Sequence, residues 1–527
     1  MGADPAESEV LVVGAGPTGL VLALWLTHYG IPVRIVDKAP RAGTTSRALA
    51  LHARTLELYE PMGLARPIIA ASHKLDAVNL WVAGEKRAHA RFGDMGKGLS
   101  PYPYSLIYPQ DEHEKLLIER LAAAGVPVER EVEAIGLEGD GEHYVSARLR
   151  RADGSESLAR CAFLAGCDGA HSFVREAVHA GYPGGTYEHM FYVADVEATG
   201  PVTNGELNGA LDQADFILVF PLKDEKHIRL VGTVRDDAAT RHGELGWDDV
   251  SKDIIRRMRI EVRKVNWFST YHVHHRVADE FRSGRVFLLG DAAHIHSPVG
   301  GQGMNTGIGD AINLAWKLAA VLKGHGDDEL LDTYAPERRA FALRLVASTD
   351  RAFTFVTRDG PLARFVRLHV VPWIVPFATR FDAVRRLMYR TISQTSIEYR
   401  KSPLSEGRAG SIRAGDRLPW VEPAGGGKDN FAPLASMDWQ VHVQGTAASA
   451  VVEACGRHGI ALHAFAWSEA AGRAGYARDA AYLVRPDAYV GWAATKQAGE
   501  SLEAYLATHK VAPLAAPVEI IVPPEKK

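Results

Sequence analysis

The sequence predicts an α/β protein with an α+β part inserted into it. A short apolar strand near the N-terminus runs into a glycine-rich turn and an apolar helix, and a second strand, glycine-rich turn and helix follow near residue 290. Strands that lead directly into helices indicate a parallel sheet. Residues 185–280, in contrast, alternate polar and apolar side chains and contain many aromatics, which indicates an antiparallel sheet. A chain of 527 residues allows about three domains of ~150 residues each.

Composition excludes several classes of protein. The chain has 60 basic and 64 acidic residues, a formal net charge of −4, and no long basic run, so we expect no nucleic-acid partner. Neither a signal peptide nor an apolar run long enough to span a bilayer is evident, so we expect no membrane partner. The cysteines, Cys161, Cys167 and Cys455, form no CxxC pair, which predicts reduced thiols in a cytoplasmic protein.

The first glycine-rich turn has the pattern of a dinucleotide-binding βαβ unit. The strand Val10–Val13 precedes Gly14-x-Gly16-x-x-Gly19, and a helix and a second strand lead to Asp37. In this Rossmann-type pattern Gly14 makes the tight turn, Gly16 admits a diphosphate and Gly19 lets helix and strand touch. Asp37 is then expected to accept hydrogen bonds from a ribose hydroxyl.

The second turn follows the apolar strand 286–289 and precedes a helix expected at 304–322. It carries Asp291 and a glycine-rich stretch through Gly303. Backbone N–H groups of Gly303, Met304 and Asn305 at the helix start can stabilise a negatively charged ligand. His294 and His296 stand two residues apart without carboxylate partners, so we expect no metal site.

The remaining chain suggests further units. Asp168-Gly169 follows another apolar strand, residues 328–400 indicate long helices, and a Pro/Gly-rich linker covers about 402–427. The last hundred residues contain four apparent strands, at 439–443, 461–466, 481–484 and 489–492, with helices between them. They predict a separate α/β domain.

Taken together, the turns at 14–19 and 290–305 and the Asp168-Gly169 pair resemble the motifs of single-component (class A) FAD-dependent aromatic hydroxylases, the p-hydroxybenzoate, phenol and pentachlorophenol hydroxylase type of flavoprotein monooxygenase. The resemblance implies a Rossmann-type FAD-binding domain with an inserted antiparallel-sheet substrate domain and a C-terminal thioredoxin-like domain. The expected ranges are 1–184 and 281–402 for the FAD-binding parts, 185–280 for the substrate domain and 403–527 for the C-terminal domain.

The resemblance also implies the site residues. Those expected to bind non-covalent FAD are Gly14, Gly16, Gly19, Asp37, Lys38, Arg47, Gln110, Asp168, Asp291, Pro298, Gly301, Gly303, Met304 and Asn305. Those expected to act in catalysis are Pro298, Arg47, Tyr271 and His274. Asp291 is expected to hold the ribityl chain, and Pro298 to lie where oxygen adds to the flavin.

The implied reaction uses NADPH or NADH to reduce FAD, and O2 to form a flavin C4a-hydroperoxide that hydroxylates a phenolic ring. A base near the phenol would help. Phenol hydroxylase has an aspartate at the position of Leu49, so this chain departs from it there. The candidates that remain are Tyr271, His272, His274, His275 and His52, and only one of His274 and His275 can face the cavity of an alternating strand.

Three functions stay open at this point. The first is a ring hydroxylase acting on a small aromatic, possibly polycyclic, substrate. The second is a Baeyer–Villiger or antibiotic-modifying oxygenase on the same fold, and the third is a flavin-binding protein without turnover. The sequence does not distinguish monomer from homodimer, NADH from NADPH, or a catabolic from a biosynthetic role.

Overall fold

The computed structural model describes residues 8–43, 48–139, 143–211, 216–222, 226–234, 245–297, 299–357, 360, 362, 365–423 and 428–514. Elements are numbered along the chain. The structure is a mixed α/β fold, and its described strands form sheets of eight, eight, six and three strands.

The first eight-stranded sheet contains the two predicted strand–turn–helix units side by side. Its strands are β1 (Ser8–Val13), β2 (Val33–Asp37), β8 (Glu129–Arg130), β9 (Val132–Glu138), β10 (Val145–Arg151), β11 (Glu156–Gly166), β17 (Arg282–Ser283) and β18 (Val286–Leu288). β1 lies between β11 and β2, parallel to both, and β18 pairs in parallel with β11. The chain therefore returns to its first sheet near residue 286, as the sequence predicted.

Two long helices pack together on this sheet. They are α1 (Pro17–His28), which follows β1, and α8 (Gly303–Leu322), which follows β18. Residues Gly19 to Leu26 of α1 are all buried. Burial on every side explains why this helix is apolar all round rather than amphipathic.

The second eight-stranded sheet is mainly antiparallel. It forms the wall of the candidate functional site that lies opposite the first sheet. Its strands are β5 (Ala77–Val82), β6 (Glu85–Arg91), β12 (Gly184–Thr199), β13 (Leu207–Leu211), β14 (Phe216–Pro221), β15 (His227–Thr233), β16 (Glu261–Val277) and β19 (His294–Ile295). β5 joins through parallel pairing with β13. The sheet thus draws strands from 77–91 and 294–295, outside the range 185–280 that the sequence predicted for it.

Shorter elements connect the first two sheets. A three-stranded sheet contains β3 (Ala50–Leu51), β4 (His73–Leu75) and β7 (Ser105–Ile107). The helices are α2 (Ala53–Tyr59), α3 (Ala65–Ala71), α4 (Phe92–Gly96), α5 (Gln110–Ala123), α6 (Phe173–Ala177) and α7 (Asp253–Arg257).

The sequence predicted long helices over 328–400, and helices occupy most of the described residues of this stretch up to Ile392. They are α9 (Asp328–Asp332), α10 (Tyr334–Thr357), a π-helical turn (Val366–Val370), α11 (Val371–Ala378) and α12 (Asp382–Ile392). Within the described part of the chain, no helix combines the length and the apolar character that crossing a membrane requires.

The C-terminal unit is built on a six-stranded sheet. Its strands are β20 (Glu406–Ala409), β21 (Ile412–Arg413), β22 (Gln440–Gln444), β23 (Ala461–Phe465), β24 (Ala481–Val484) and β25 (Val490–Ala494), and its helices are α13 (Ser449–His458), α14 (Glu469–Ala474) and α15 (Gly499–Thr508). The last four strands lie within two residues of their predicted positions. All three cysteines of the chain are free and buried.

Candidate functional site

A cavity of about 760 Å³ lies between the first two sheets. On one side it is lined by the segments that follow β1, β11 and β18, including Gly16, Cys167 and Asp291, and by the start of α8. These segments are the carboxyl ends of parallel strands, which is where α/β proteins bind their ligands. On the other side lies the second sheet.

Of the three glycines in the turn after β1, only Gly16 leaves space for a ligand. Gly14 has φ +106°, and a Cβ there would lie 2.3 Å from the carbonyl oxygen of Cys167. A Cβ on Gly19 would lie 2.0 Å from the carbonyl oxygen of Gly14. Gly16, by contrast, lines the cavity and has no protein atom within 4 Å of its added Cβ. Gly14 and Gly19 therefore close the turn, while Gly16 leaves room for a group such as a diphosphate.

Asp37 at the end of β2 is tied to this turn. Its Oδ2 accepts a hydrogen bond of 2.7 Å from the Ala15 N–H, and its Oδ1 accepts one of 2.8 Å from the Ala39 N–H. Lys38 is exposed. Neither Asp37 nor Lys38 lines the cavity itself, and their predicted roles in FAD binding stay predictions.

Asp291 is the acidic group of the cavity, and no described donor bonds to its carboxylate. It lines the cavity directly after β18, and its backbone carbonyl accepts a 2.8 Å hydrogen bond from the Tyr182 hydroxyl. Desolvation by the surrounding protein raises the pKa of the Asp291 carboxyl, and the nearby His294 opposes this effect. A carboxylate in this setting is an acceptor for ligand hydroxyl groups.

Asp168 is used differently. Its Oδ1 accepts a 2.6 Å hydrogen bond from the Ser172 hydroxyl, and its Oδ2 accepts one of 3.1 Å from the Val174 N–H, which anchors the start of α6. Its neighbours Cys167 and Gly169 line the cavity. Asp168 therefore shapes the segment beside the cavity rather than projecting its carboxylate into it.

The start of α8 faces the cavity through Gly301, Gly303 and Met304. No side chain caps this helix, so the N–H groups of its first turn are available to a ligand. Gly301 has φ +62°, and a Cβ there would lie 2.8 Å from the Cβ of Ala50. This close approach keeps the loop against the segment at residue 50.

The Asn305 side chain is hydrogen-bonded within the protein, and the prediction for this residue concerns its backbone N–H. The side chain is buried, with its Oδ1 accepting from the His52 N–H and the Thr55 hydroxyl and its Nδ2 donating to the carbonyls of Ala50 and Gly301. Each polar atom of the amide is thus already hydrogen-bonded to other groups of the protein. Asn305 fastens the residue 50 segment to the loop, and only its backbone N–H fits the predicted contact.

Three other predicted residues have different outcomes. Gln110 lines the cavity, where its Nε2 donates a 2.7 Å hydrogen bond to Glu114. Arg47 and Pro298 lie outside the described residues, so their roles stay predictions.

The wall formed by the second sheet is almost entirely apolar. Its lining residues are Val193, Phe216, Leu218, Phe220, Val231, Trp267, Phe268, Ser269 and Tyr271. Within this described set no side chain is charged, and the polar atoms are two hydroxyl groups and one indole N–H. The sequence had pointed to the aromatic members, whereas Val193, Leu218 and Val231 carried no distinguishing signal.

Tyr271 lines the cavity but His274 does not. On β16 the residues that line the cavity are Trp267, Phe268, Ser269 and Tyr271, whereas the Nδ1 of His274 lies 2.8 Å from the Thr186 hydroxyl. Burial and neighbouring cationic groups lower the pKa of His274. His274 thus does not line this cavity, and its predicted role in catalysis stays a prediction.

The other histidine candidates are also displaced from the cavity. Neither His272 nor His275 lines it. His52 is buried with its Nε2 2.9 Å from the Gly300 carbonyl oxygen, and burial lowers its pKa to about 4. His52 therefore holds the glycine loop.

The His294 and His296 pair separates into two environments. His294 is buried with its Nε2 2.7 Å from Asp310, whereas His296 lines the cavity with its Nδ1 2.8 Å from the Ser297 carbonyl oxygen. Burial lowers the pKa of His296 to about 4. Sequence reasoning considered this pair only as metal ligands and so missed His296 as a cavity residue. The described residues contain no cluster of three potential metal ligands.

Comparison with known proteins identifies the class. Residues 7–349 match the family described as "FAD binding domain", and residues 412–513 match "Aromatic-ring hydroxylase, C-terminal". The chain belongs to the FAD-dependent aromatic hydroxylases, and it is an FAD-dependent monooxygenase.

Individual relatives lie within the same class. The chain is 36% identical to 6-methylpretetramide 4-monooxygenase of Streptomyces rimosus over 79% of this chain and 73% of the relative. It is 31% identical to 12-dehydrotetracycline 5-monooxygenase/anhydrotetracycline 6-monooxygenase of S. rimosus over 93% and 96%. The solved structure of OxyS anhydrotetracycline hydroxylase from S. rimosus superimposes with a TM-score of 0.75 at 27% identity, over 96% of this chain and 100% of that one.

Proposed function

We propose that this protein hydroxylates an uncharged polycyclic aromatic substrate, with NADPH or NADH and O2 as co-substrates. The observation that carries the proposal is the apolar sheet wall, which faces the strand ends and the α8 start across one cavity. A wall without charged side chains disfavours a small carboxylated phenol, because the carboxylate would be desolvated without a cationic partner. Two relatives are named as monooxygenases of 6-methylpretetramide and of 12-dehydrotetracycline and anhydrotetracycline, which supports a polycyclic substrate.

The cavity fits FAD on the evidence of its own residues. The open space at Gly16 would take the diphosphate, Asp291 would accept from ribityl hydroxyls, and the N–H groups of Gly303 and Met304 would face the anionic edge of the reduced ring. When bound, FAD supplies the electron transfer and oxygen activation that side chains cannot.

The protein's own contribution is to exclude water and orient the substrate ring. Phe216, Phe220 and Trp267 offer flat faces for aromatic contact. The Tyr271 hydroxyl is the phenolic group on this wall, and we propose that it hydrogen-bonds the substrate and helps to move its hydroxyl proton. Leu49 also lines the cavity, so the departure from phenol hydroxylase removes a carboxylate from the cavity wall itself.

The C-terminal unit is proposed to be thioredoxin-like without redox activity. Its mixed six-stranded sheet with flanking helices supports this assignment. Its one cysteine, Cys455, is buried, and burial raises its thiol pKa to about 12, which suits a packing role better than thiol chemistry.

The test is a substrate screen with the FAD-loaded enzyme. NADPH and NADH oxidation is followed with three- and four-ring phenols and, as matched controls, with phenol and 4-hydroxybenzoate. We expect stimulation by the polycyclic compounds and a product with one added ring hydroxyl, located by NMR. Preference for 4-hydroxybenzoate, a ring-expanded lactone product, or cofactor oxidation without any oxygenated product would each contradict the proposal.

A further inference from the structure

An exposed apolar face lies on the helical region after α10. Seven of the nine large hydrophobic side chains exposed among the described residues occur in this one stretch: Leu362, Phe365, Trp373, Ile374, Phe377, Phe381 and Leu387. We call these seven residues the 362–387 face. Trp373 is 76% exposed and Leu362 is 75% exposed. Such a concentration of exposed apolar side chains in one stretch is typical of a contact site for a partner.

The 362–387 face is also basic. Between Trp373 and Arg390 the chain has four arginines and one acidic residue, Asp382, in a protein whose formal net charge is −4. Asp382 is paired with Arg385, whereas Arg386 and Arg390 are exposed with Leu387 on the outer side of α12. The partner that fits is therefore apolar and anionic together.

A basic cleft adjoins this face. It has a volume of about 600 Å³ and shares Asp382, Arg385 and Arg386 with α12. Its other basic lining residues are Arg91, Lys97 and Arg473, and its other acidic ones are Asp94 and Glu422. Asp382 pairs with Arg385, and Arg473 pairs with Glu469. Three basic groups then remain against two acidic ones, which gives the cleft the sign that a phosphate group requires.

We propose that the 362–387 face docks the enzyme peripherally on an anionic phospholipid surface. Aromatic and aliphatic side chains would enter the boundary between headgroups and acyl chains, and the arginines would meet lipid phosphates. Exposed Trp and Phe beside arginine is the composition typical of such interfacial helices. The sequence predicted no membrane partner because it has neither a long apolar run nor a signal peptide, but peripheral docking needs neither.

Charge favours a lipid surface over a second copy of the chain. A two-fold dimer through this face would bring two copies of the same basic surface together. Such like-charge contact is unfavourable, whereas an anionic bilayer attracts every arginine on the face.

The test is co-sedimentation of the full-length, FAD-loaded protein with vesicles. We expect binding to vesicles of phosphatidylglycerol and phosphatidylcholine in equal parts, weak binding to phosphatidylcholine alone, and release by high salt. Trp373→Ser with Phe377→Ser should lower binding at least ~10-fold. Arg386→Glu with Arg390→Glu should do the same on anionic vesicles, since each basic residue contributes roughly fivefold.

The matched control is Leu158→Ser, which removes an exposed leucine from β11 and should leave vesicle binding unchanged. FAD content and melting temperature show that each variant is folded. The proposal is overturned if the wild-type protein does not bind anionic vesicles or binds both compositions equally. It is also overturned if light scattering shows a dimer that Trp373→Ser with Phe377→Ser separates, because the occupant is then a second copy.

Discussion

Arg485 of the C-terminal unit forms a doubly hydrogen-bonded ion pair with Glu337 of α10, in the interior of the protein. Its Nη1 donates to Oε1 at 2.7 Å and its Nη2 to Oε2 at 2.9 Å, and both side chains are fully buried. Lys317 of α8 lies 2.8 Å from the same carboxylate. Burial alone would raise the pKa of Glu337, but Arg485 and Lys317 outweigh it and hold that pKa below its usual range. Through Lys317, the Glu337 carboxylate thus links the C-terminal unit to α8, the helix whose start faces the cavity.

Removing this pair should destabilise the whole chain. We expect Arg485→Ala to lower the free energy of unfolding by about 3–5 kcal/mol, because it leaves the Glu337 carboxylate buried with one cation fewer. Urea denaturation measures the effect. Arg473→Ala, which removes an arginine that is 72% exposed on the same unit, should change stability by less than ~0.5 kcal/mol. Similar effects in the two variants would show that the pair does not couple the units.

Substitution by alanine should affect protein stability at Gly14 of the first turn but FAD binding at Gly16. Gly14→Ala places a Cβ 2.3 Å from a carbonyl oxygen at φ +106°, so we expect lost stability whether or not FAD is present. Gly16→Ala meets no protein atom within 4 Å, so the apoprotein should melt as wild type while FAD binds more weakly. Melting temperatures and FAD titrations distinguish the two. Unchanged FAD affinity in Gly16→Ala would remove the diphosphate from this position.

Asp291→Ala should weaken FAD binding without affecting the fold. The carboxylate has no described hydrogen-bond donor and lines the cavity, so the loss is that of a charge-assisted bond to the ligand, about 1.5–3 kcal/mol. FAD fluorescence titration of the apoprotein measures it. Asp253→Ala, at a residue whose side chain is 68% exposed on α7, is the control. If both variants retain wild-type affinity, Asp291 does not hold the cofactor.

Acid should destabilise the protein partly through His52. Burial lowers the pKa of His52 from 6.5 to about 4, so between these values the unfolded chain binds more protons than the folded one. The contribution of His52 to stability is therefore lost as pH falls through this window, and this contribution is constant above it. The slope of the unfolding free energy against pH reports how many more protons the unfolded chain binds. We expect His52→Gln to reduce this number by up to about one. An identical slope in the variant would show that His52 does not titrate this way.

Tyr271 and His274 give a paired test of the proposed proton transfer. Tyr271→Phe keeps the ring on the cavity wall and removes the hydroxyl, so we expect kcat to fall by about 10²-fold or more with FAD affinity unchanged. His274→Gln changes a side chain outside the cavity and should leave kcat at the wild-type value. Single-turnover product formation measures both. A large effect of His274→Gln alone would restore the histidine as the acting group.

Much of the fold could be predicted because local patterns determine it. The apolar run of β1, the glycines after it and the buried α1 follow one another within twenty residues, and their order alone specifies a parallel unit. The second sheet was predicted in its central strands but not in β5 and β6. These strands join through pairing with β13, more than a hundred residues away, and no local pattern records such a partner.

Side-chain roles were less predictable than the positions of the motifs. Asp168 and Asn305 lie in motifs that the sequence identified, yet their side chains bond to the protein itself. One of His274 and His275 was expected to face the cavity, and the structure shows that neither lines it. His296 reaches the cavity, whereas His294 two residues earlier pairs with Asp310.

By itself, the sequence determined the class of protein, because spaced glycines and strand-end carboxylates encode the FAD fold locally. Only the tertiary structure decided what surrounds the cavity and what the surface exposes. The uncharged sheet wall, the buried Arg485–Glu337 pair and the exposed 362–387 face all depend on which distant segments pack together. Burial and charge pairing are properties of that packing, and the order of residues does not state them.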